Sequence, residues 1–173
     1  MAVLIWEAKS LLPADKFMTN ISKKNFLVDT NILIYALDKK SLFFKKVVEF
    51  FEWSEDKKVR LFLAHQNLLE LIRTLINDYG VSYKVAEKNA RGFIDGEAIN
   101  LISPLPSTLS RYFNLTKSKG VKRGNIFDYY LAATALDNGV DFILTNNADD
   151  FSEIEGFTAT TLEEVRKIIG EHE

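Results

Sequence analysis

Short apolar segments of strand length alternate with longer segments of helical periodicity along most of this chain. Strands are predicted at residues 26–28, 59–64, 98–103 and 141–145, with a fifth at 157–161. A chain in which strands alternate with helices folds as a parallel sheet that carries helices on both faces. The pattern therefore predicts an α/β fold, a three-layer sandwich around a five-stranded parallel sheet. Ligands of such sheets bind outside the carboxyl ends of the strands.

Helices are predicted in the intervening segments, at residues 32–37, 42–53, 66–79, 83–94, 104–120, 126–136 and 162–170. In the third of these, Leu68, Ile72 and Leu75 recur at the spacing that places them on one buried face. The sixth ends at Asn138-Gly139, a typical helix stop signal. A chain of 173 residues is expected to form one such domain.

Two carboxylates stand alone in the most apolar stretches of the sequence. Asp29 is the only charged residue within 26–37. Asp128 is likewise the only charged residue within 126–136. A carboxylate in apolar surroundings costs several kcal/mol unless it is paired, hydrogen-bonded or bound to a cation. Asp29 as a helix N-cap and Asp128 as a charge in the first helical turn would explain each acid singly. A shared cation site would explain both together.

Glu70 and the segment 145–151 are weaker candidates. Glu70 lies on the polar face of its predicted helix, where an exposed ion pair would explain it equally well. Residues 145–151, TNNADDF, directly follow a predicted strand, and Asn and Asp are also common turn residues. If this loop is functional, Asn147, Asp149 or Asp150 adds oxygen ligands to the cluster.

The composition narrows the kind of site. The chain has no cysteine and only two histidines, His65 and His172. Disulfides, thiolate metal sites and a cysteine nucleophile are therefore excluded, and any metal would be held by oxygen. The lack of cysteine fits a cytoplasmic protein. Neither a signal peptide nor an apolar stretch of membrane-spanning length is apparent, so no membrane association is expected.

The net charge of −2 conceals an uneven distribution. Residues 98–127 carry five basic and no acidic side chains, whereas residues 128–173 carry eleven acidic and two basic ones. Most charge runs are simply solvated faces. A basic stretch next to a carboxylate cluster would also attract a polyanion such as nucleic acid to a metal site.

The sequence lacks the residues that several other hydrolase and phosphate-transfer sites require. The chain contains neither a G-x-x-x-x-G-K-[ST] loop nor a G-x-S-x-G elbow. A haloacid-dehalogenase site would need an aspartate where Asn31 stands. A receiver domain would need paired acids before its phosphoacceptor strand, and the sequence has none there.

Four segments in order resemble a PIN domain, and most of all the VapC-type toxins of toxin–antitoxin pairs. They are VDTNILIYAL, the helical glutamate in NLLELIRTL, DYYLAATAL and ILTNNADDF. The resemblance runs from about Phe26 to the C terminus. It implies an endoribonuclease, a phosphodiester hydrolase that cleaves single-stranded RNA with carboxylate-bound Mg²⁺ or Mn²⁺. The metal would activate water, and the products would carry a 5′-phosphate and a 3′-hydroxyl.

The resemblance also implies which residues form the site. The matching catalytic residues are Asp29, Glu70, Asp128, Asn147 and Asp150. Three of them would be metal ligands, namely Asp29, Glu70 and Asp128. Polar positions that line the substrate site match Thr30, Asn31 and Thr145. The basic residues that precede Asp128 are expected to hold the RNA backbone; they are Lys117, Lys119, Lys122 and Arg123.

Two features depart from the family pattern. The fourth acid position is Asn147, which weakens a second metal site unless Asp149 or Asp150 substitutes. Residues 1–25 precede the usual start of the family and are predicted to be an N-terminal extension of a PIN-like domain at 26–173.

Partners and alternatives follow from the same resemblance. It implies a homodimer and, for a toxin, a cognate antitoxin. The apolar residues of helices 42–53 and 68–79 are interface candidates, although they would serve equally well as core. The alternatives are an RNA-processing nuclease that is not a toxin, and a degenerate PIN module that binds RNA or protein without cleavage.

Overall fold

The computed structural model describes residues 24–56, 59–96, 98–117 and 125–168. Its strands are β1 (Lys24–Val28), β2 (Val59–Ala64), β3 (Ile99–Ile102), β4 (Phe142–Leu144) and β5 (Thr158–Thr160). Its helices are α1 (Thr30–Leu37), α2 (Phe44–Asp56), α3 (His65–Asn77), α4 (Tyr83–Ile94), α5 (Thr108–Lys117), α6 (Ile126–Asp137) and α7 (Val165–Ile168). A 3-10 helix (Ala148–Phe151) lies between β4 and β5.

The five strands form one parallel sheet in the order β3-β2-β1-β4-β5. The chain builds outward from β1 to β3, then returns to place β4 against the free side of β1. In the register of these two strands Val28 pairs with Leu144, so Asp29 and Thr145 emerge side by side at the carboxyl edge. Loops diverge at such a reversal of strand order and leave a crevice there. The predicted α/β sandwich is confirmed, and its topology sets the place of the site.

An apolar core fills each side of the sheet. On one side Phe26 and Val28 of β1 pack with helices α1 to α4, and on the other Leu27 packs with α6. This division follows from the alternation of side chains along a strand. Helix α6 is apolar almost all round because it lies between the sheet and α5, where Tyr112 contacts Tyr130 at 6.0 Å between ring centroids.

Several element ends differ from the predictions. Helix α5 begins at Thr108 rather than near Pro104, because the Thr108 hydroxyl accepts a hydrogen bond from the Leu105 amide and forms a turn first. Helix α7 begins at Val165, after a turn. Residues 1–23 and 169–173 lie outside the described part of the chain, so the predicted N-terminal extension stays a prediction. Among the described helices, none has the length and apolar character that crossing a bilayer requires.

Candidate active site

Asp29 is the first residue after β1, and three hydrogen bonds fix its carboxylate. Oδ1 accepts from the backbone amide of Thr30 at 2.7 Å, so Asp29 does cap helix α1. Oδ2 accepts from Asn31 Nδ2 at 2.8 Å and from the Thr145 hydroxyl at 2.6 Å. The hydroxyl of Thr145 itself accepts from the backbone amide of Asn147 at 2.9 Å. The loops after β1 and β4 are therefore joined through this one carboxylate.

Glu70 is tied to the same place through Thr30. The Thr30 hydroxyl donates to Glu70 Oε2 at 2.9 Å and accepts from Asn67 Nδ2 at 3.2 Å. Asn67 is fully buried, and its Oδ1 accepts from the backbone amide of Ala64 at 3.2 Å. Glu70 is exposed, as its place on the polar face of α3 predicts. The contact between α1 and α3 nevertheless brings it to the site.

All five predicted catalytic side chains line one cleft of about 750 Å³ at the carboxyl edge of the sheet. Asp128 reaches it from the first turn of α6. Asn147 and Asp150 reach it from the cap and the body of the 3-10 helix. These acids come from four separate segments of the chain, and the sheet topology brings them together.

Asp29 and Asp128, the lone charged residues of their apolar stretches, both have raised pKa values. Burial raises the pKa of Asp29 from 3.8 to about 6, and hydrogen bonds from Thr145 and Thr30 only partly offset this. Burial also raises the pKa of Asp128 from 3.8 to about 6, with the negative charge of Asp150 as the next contribution. The negative charges of Glu70 and Asp150 raise the pKa of both aspartates further, and the charge of Asp29 adds to the rise at Asp128. A cation in the cleft would relieve this repulsion.

The donor chemistry of the cleft fits Mg²⁺ or Mn²⁺. Hard divalent cations take carboxylate and amide oxygens, and Mg²⁺ is usually held by one or two carboxylates together with water and phosphate. Within the described ranges, no group of three or more acidic or histidine side chains is placed so that it could hold a metal ion by itself. The cleft thus offers a few oxygen ligands and leaves room for others.

Of the four predicted basic substrate residues the structure describes Lys117, which does not line the cleft. Lys117 ends α5, is exposed, and donates from Nζ to Asn114 Oδ1 at 3.0 Å. Lys119, Lys122 and Arg123 lie outside the described residues, so their predicted role stays a prediction. Asp149 is exposed and is not among the described residues that line the cleft.

Sequence reasoning missed Asn67, Arg73 and Phe127. Asn67 supports Thr30, and the other two line the cleft beside the acids. A signal for Asn67 was present, because it shares the buried face of α3 with Leu71 and Leu75 at a spacing of four residues. Arg73 and Phe127 carry no comparable signal, since exposed basic and aromatic residues are common on helix surfaces.

A family model described as PIN domain matches residues 26–156. Curated proteins give no match. VapBC2 from Rickettsia felis, bound to a DNA fragment from its promoter, has a TM-score of 0.62 at 18% identity over 79% of this chain and 98% of that one.

Two further solved structures give the same result. A toxin–antitoxin complex from Klebsiella pneumoniae has a TM-score of 0.54 at 20% identity, covering 79% of this chain and 97% of that one. VapC20 from Mycobacterium tuberculosis, a toxin that cleaves the sarcin–ricin loop, has a TM-score of 0.57 at 12% identity, covering 73% and 93%. At these identities the likeness concerns the fold.

Proposed function

The chain belongs to the PIN-domain family, as its residue pattern predicts, and we propose on that basis that it is a metal-dependent endoribonuclease of single-stranded RNA. The main support is the convergence of Asp29, Glu70, Asp128, Asn147 and Asp150 on one cleft. Convergence of these residues is what a nuclease site of this family requires, and a degenerate binding module would have no need to keep them.

The proposed roles are those that the resemblance to the family implies. Asp29, Glu70 and Asp128 would hold Mg²⁺ or Mn²⁺, and Asn147 and Asp150 would orient water or support a second ion. When bound, the metal lowers the pKa of water and neutralises charge on the phosphodiester. Its hydrolysis adds water across the bond between phosphorus and the 3′-oxygen, leaving a 5′-phosphate and a 3′-hydroxyl.

Three polar residues serve as positioning groups in this proposal. Thr30 and Thr145 are 4% and 0% exposed and donate hydrogen bonds to the carboxylates of Glu70 and Asp29, so they would hold these carboxylates in place. Asn31 would do the same through its amide, which donates to Asp29. The predicted contact of Thr30 and Thr145 with substrate stays a prediction. Because the acids are held before substrate arrives, less ordering is left for the reaction step. Contacts to the RNA backbone would come from Lys117, Lys119, Lys122 and Arg123.

Metal removal tests the activity. The purified protein is expected to cleave a pool of random single-stranded RNA in Mn²⁺, to lose at least about a hundredfold in rate with EDTA, and to recover when Mn²⁺ is restored. A random pool is needed because the preferred target depends on the shapes of RNA and cleft. Labelling of fragment ends identifies the 5′-phosphate. Cleavage that persists in EDTA would contradict the proposal, and no cleavage in Mn²⁺ would favour the non-cleaving alternative.

We also propose that the protein is a cytoplasmic toxin with a cognate antitoxin, because the similar structures include a toxin–antitoxin complex. Its expression is expected to arrest growth, and co-expression of a small protein from the adjacent gene is expected to restore it. Colony counts after induction measure both effects. Unimpaired growth with full cleavage in vitro would favour the RNA-processing alternative.

A homodimer is proposed as well. The apolar residues predicted for its interface in helices 42–53 and 68–79 are largely core, including Phe50, Leu71 and Leu75. Leu42 and Leu69 of these segments are nevertheless exposed, and further exposed apolar side chains lie on or just before α5, at Leu105, Leu109 and Phe113. Both sets are candidates for the interface.

A further inference from the structure

We infer that Phe127 and Arg73 form a nucleotide-binding pair at the rim of the acid cleft, in which Phe127 stacks on an RNA base and Arg73 binds a phosphate. This inference rests on the proposed function and names how that site would grip its substrate. Both side chains line the same cleft as Asp29, Glu70 and Asp128. Neither belongs to the set of residues that the sequence predicts.

Phe127 is a large apolar side chain held out in solvent at the site. It is 72% exposed and immediately precedes Asp128 in the first turn of α6. Its carbonyl oxygen accepts a hydrogen bond from Gln66 Nε2 at 3.1 Å, which ties this turn to α3. Aromatic rings of this kind stack with the splayed bases of single-stranded nucleic acids. A base stacked on Phe127 would bring its adjoining phosphate towards Asp128.

Arg73 supplies positive charge where the cleft otherwise has acids. It follows Glu70 by three residues on α3 and is the one basic side chain among the described residues that line the cleft. Four carboxylates line the cleft with it, yet no ion pair joins Arg73 to any of them in the described part of the chain. A guanidinium matches the geometry of a phosphate, and here it would also offset the repulsion between RNA and the acids.

The two side chains together favour a nucleotide over an apolar protein segment. A protein segment would bury Phe127 and its exposed neighbour in the cleft, Leu69, but would have no use for Arg73 beside them. A nucleotide has both a π-face and a phosphate, separated by a sugar. The rim therefore combines the two features by which proteins bind single strands without sequence preference.

Binding of a fluorescent single-stranded oligouridylate tests the pair independently of cleavage. Ca²⁺ replaces Mn²⁺, because it takes oxygen ligands with looser geometry, and a gel run afterwards verifies that the RNA is intact. Phe127→Ala is expected to weaken binding about tenfold. It is also expected to abolish the preference for the oligouridylate over an abasic strand of the same backbone. Arg73→Ala is expected to reduce the slope of log Kd against log salt by about 1, and Arg73→Lys to restore most of it.

Matched control variants show whether the loss of RNA binding is specific to Phe127 and Arg73. Tyr83→Ala removes an exposed ring at the start of α4, and Arg60→Ala removes an exposed guanidinium near the amino end of β2. Both are expected to bind like wild type. If Phe127→Ala and Arg73→Ala bind RNA like wild type, the inference is overturned. If these variants also no longer bind the protein encoded by the adjacent gene, the rim is a protein-docking surface. Rim-dependent binding without cleavage in Mn²⁺ would uphold the pair and reject the nuclease.

Discussion

Asp128→Asn is expected to abolish cleavage and, at the same time, to stabilise the metal-free protein. Burial and the charge of Asp150 raise the pKa of Asp128 to about 6, so ionising this group near neutral pH costs folding free energy. Such a shift corresponds to about 3 kcal/mol in full. Asp128 is only half-buried, and solvent screening reduces the expected gain of the variant to about 1 kcal/mol. Cleavage should fall at least about a hundredfold, because a metal ligand is lost.

The gain in stability has a defined pH dependence. The folded state binds the proton of Asp128 more tightly than the unfolded state, so wild-type stability decreases as pH rises from about 4 to about 6. The neutral amide of the variant lacks this effect. The difference in free energy of unfolding should therefore be small near pH 4 and reach its full value above about pH 7. Urea denaturation in EDTA at several pH values measures it.

Mn²⁺ is expected to reverse the order of stability. A ligand that binds only the folded state adds about 2.7 kcal/mol when its concentration is a hundred times its Kd. This raises the Tm of the wild type but not that of Asp128→Asn. The control is Asp141→Asn, which removes an exposed acid just before β4 and should respond to Mn²⁺ like wild type. Equal stabilisation of wild type and Asp128→Asn by Mn²⁺ would show that Asp128 is not a ligand.

The parallel sheet and the place of the site follow closely from the sequence. Strands that alternate with helices form parallel sheets, and the carboxyl ends of parallel strands share one edge. Asp29 after β1 and Thr145 after β4 therefore had to lie at that edge, and they are hydrogen-bonded there. Asp128 could be singled out because it and Asp29 are the lone charged residues of the two most apolar stretches, and a shared cation site explains both together.

Helical periodicity alone predicts that Glu70 is exposed but does not predict that it lies at the site. Helical spacing places it on the exposed face of α3, and that placement is correct. Its link to the site depends on the packing of α1 against α3, which brings the Thr30 hydroxyl to within 2.9 Å of its carboxylate. Such a contact joins residues that are forty positions apart, and no local pattern contains it. Only the resemblance to the PIN family identified Glu70 beforehand.

Asn67→Ala is expected to lower the free energy of unfolding by about 2–4 kcal/mol. The side chain is 0% exposed and bridges the Ala64 backbone amide and the Thr30 hydroxyl. Its removal leaves a buried N–H without its acceptor and opens a cavity between β2 and α1. Each unsatisfied buried group costs about 1–3 kcal/mol, and the lost volume adds to that. Asn77→Ala, at the exposed end of the same helix, is the matched control and should cost little.

Thr30→Val separates the stability of this network from its role at the site. The valine keeps the shape of Thr30 but cannot donate to Glu70 or accept from Asn67. It should therefore cost less stability than Asn67→Ala, yet weaken Mn²⁺ binding about tenfold, because a group that orients a metal ligand is lost. Calorimetric titration with Mn²⁺, done well below the Tm of each variant, measures this effect. Unchanged Mn²⁺ affinity in Thr30→Val would mean that Glu70 is not a metal ligand or is oriented without this hydroxyl. A weaker affinity would mean that the exposed Glu70 depends on the buried Asn67-Thr30 pair for its orientation.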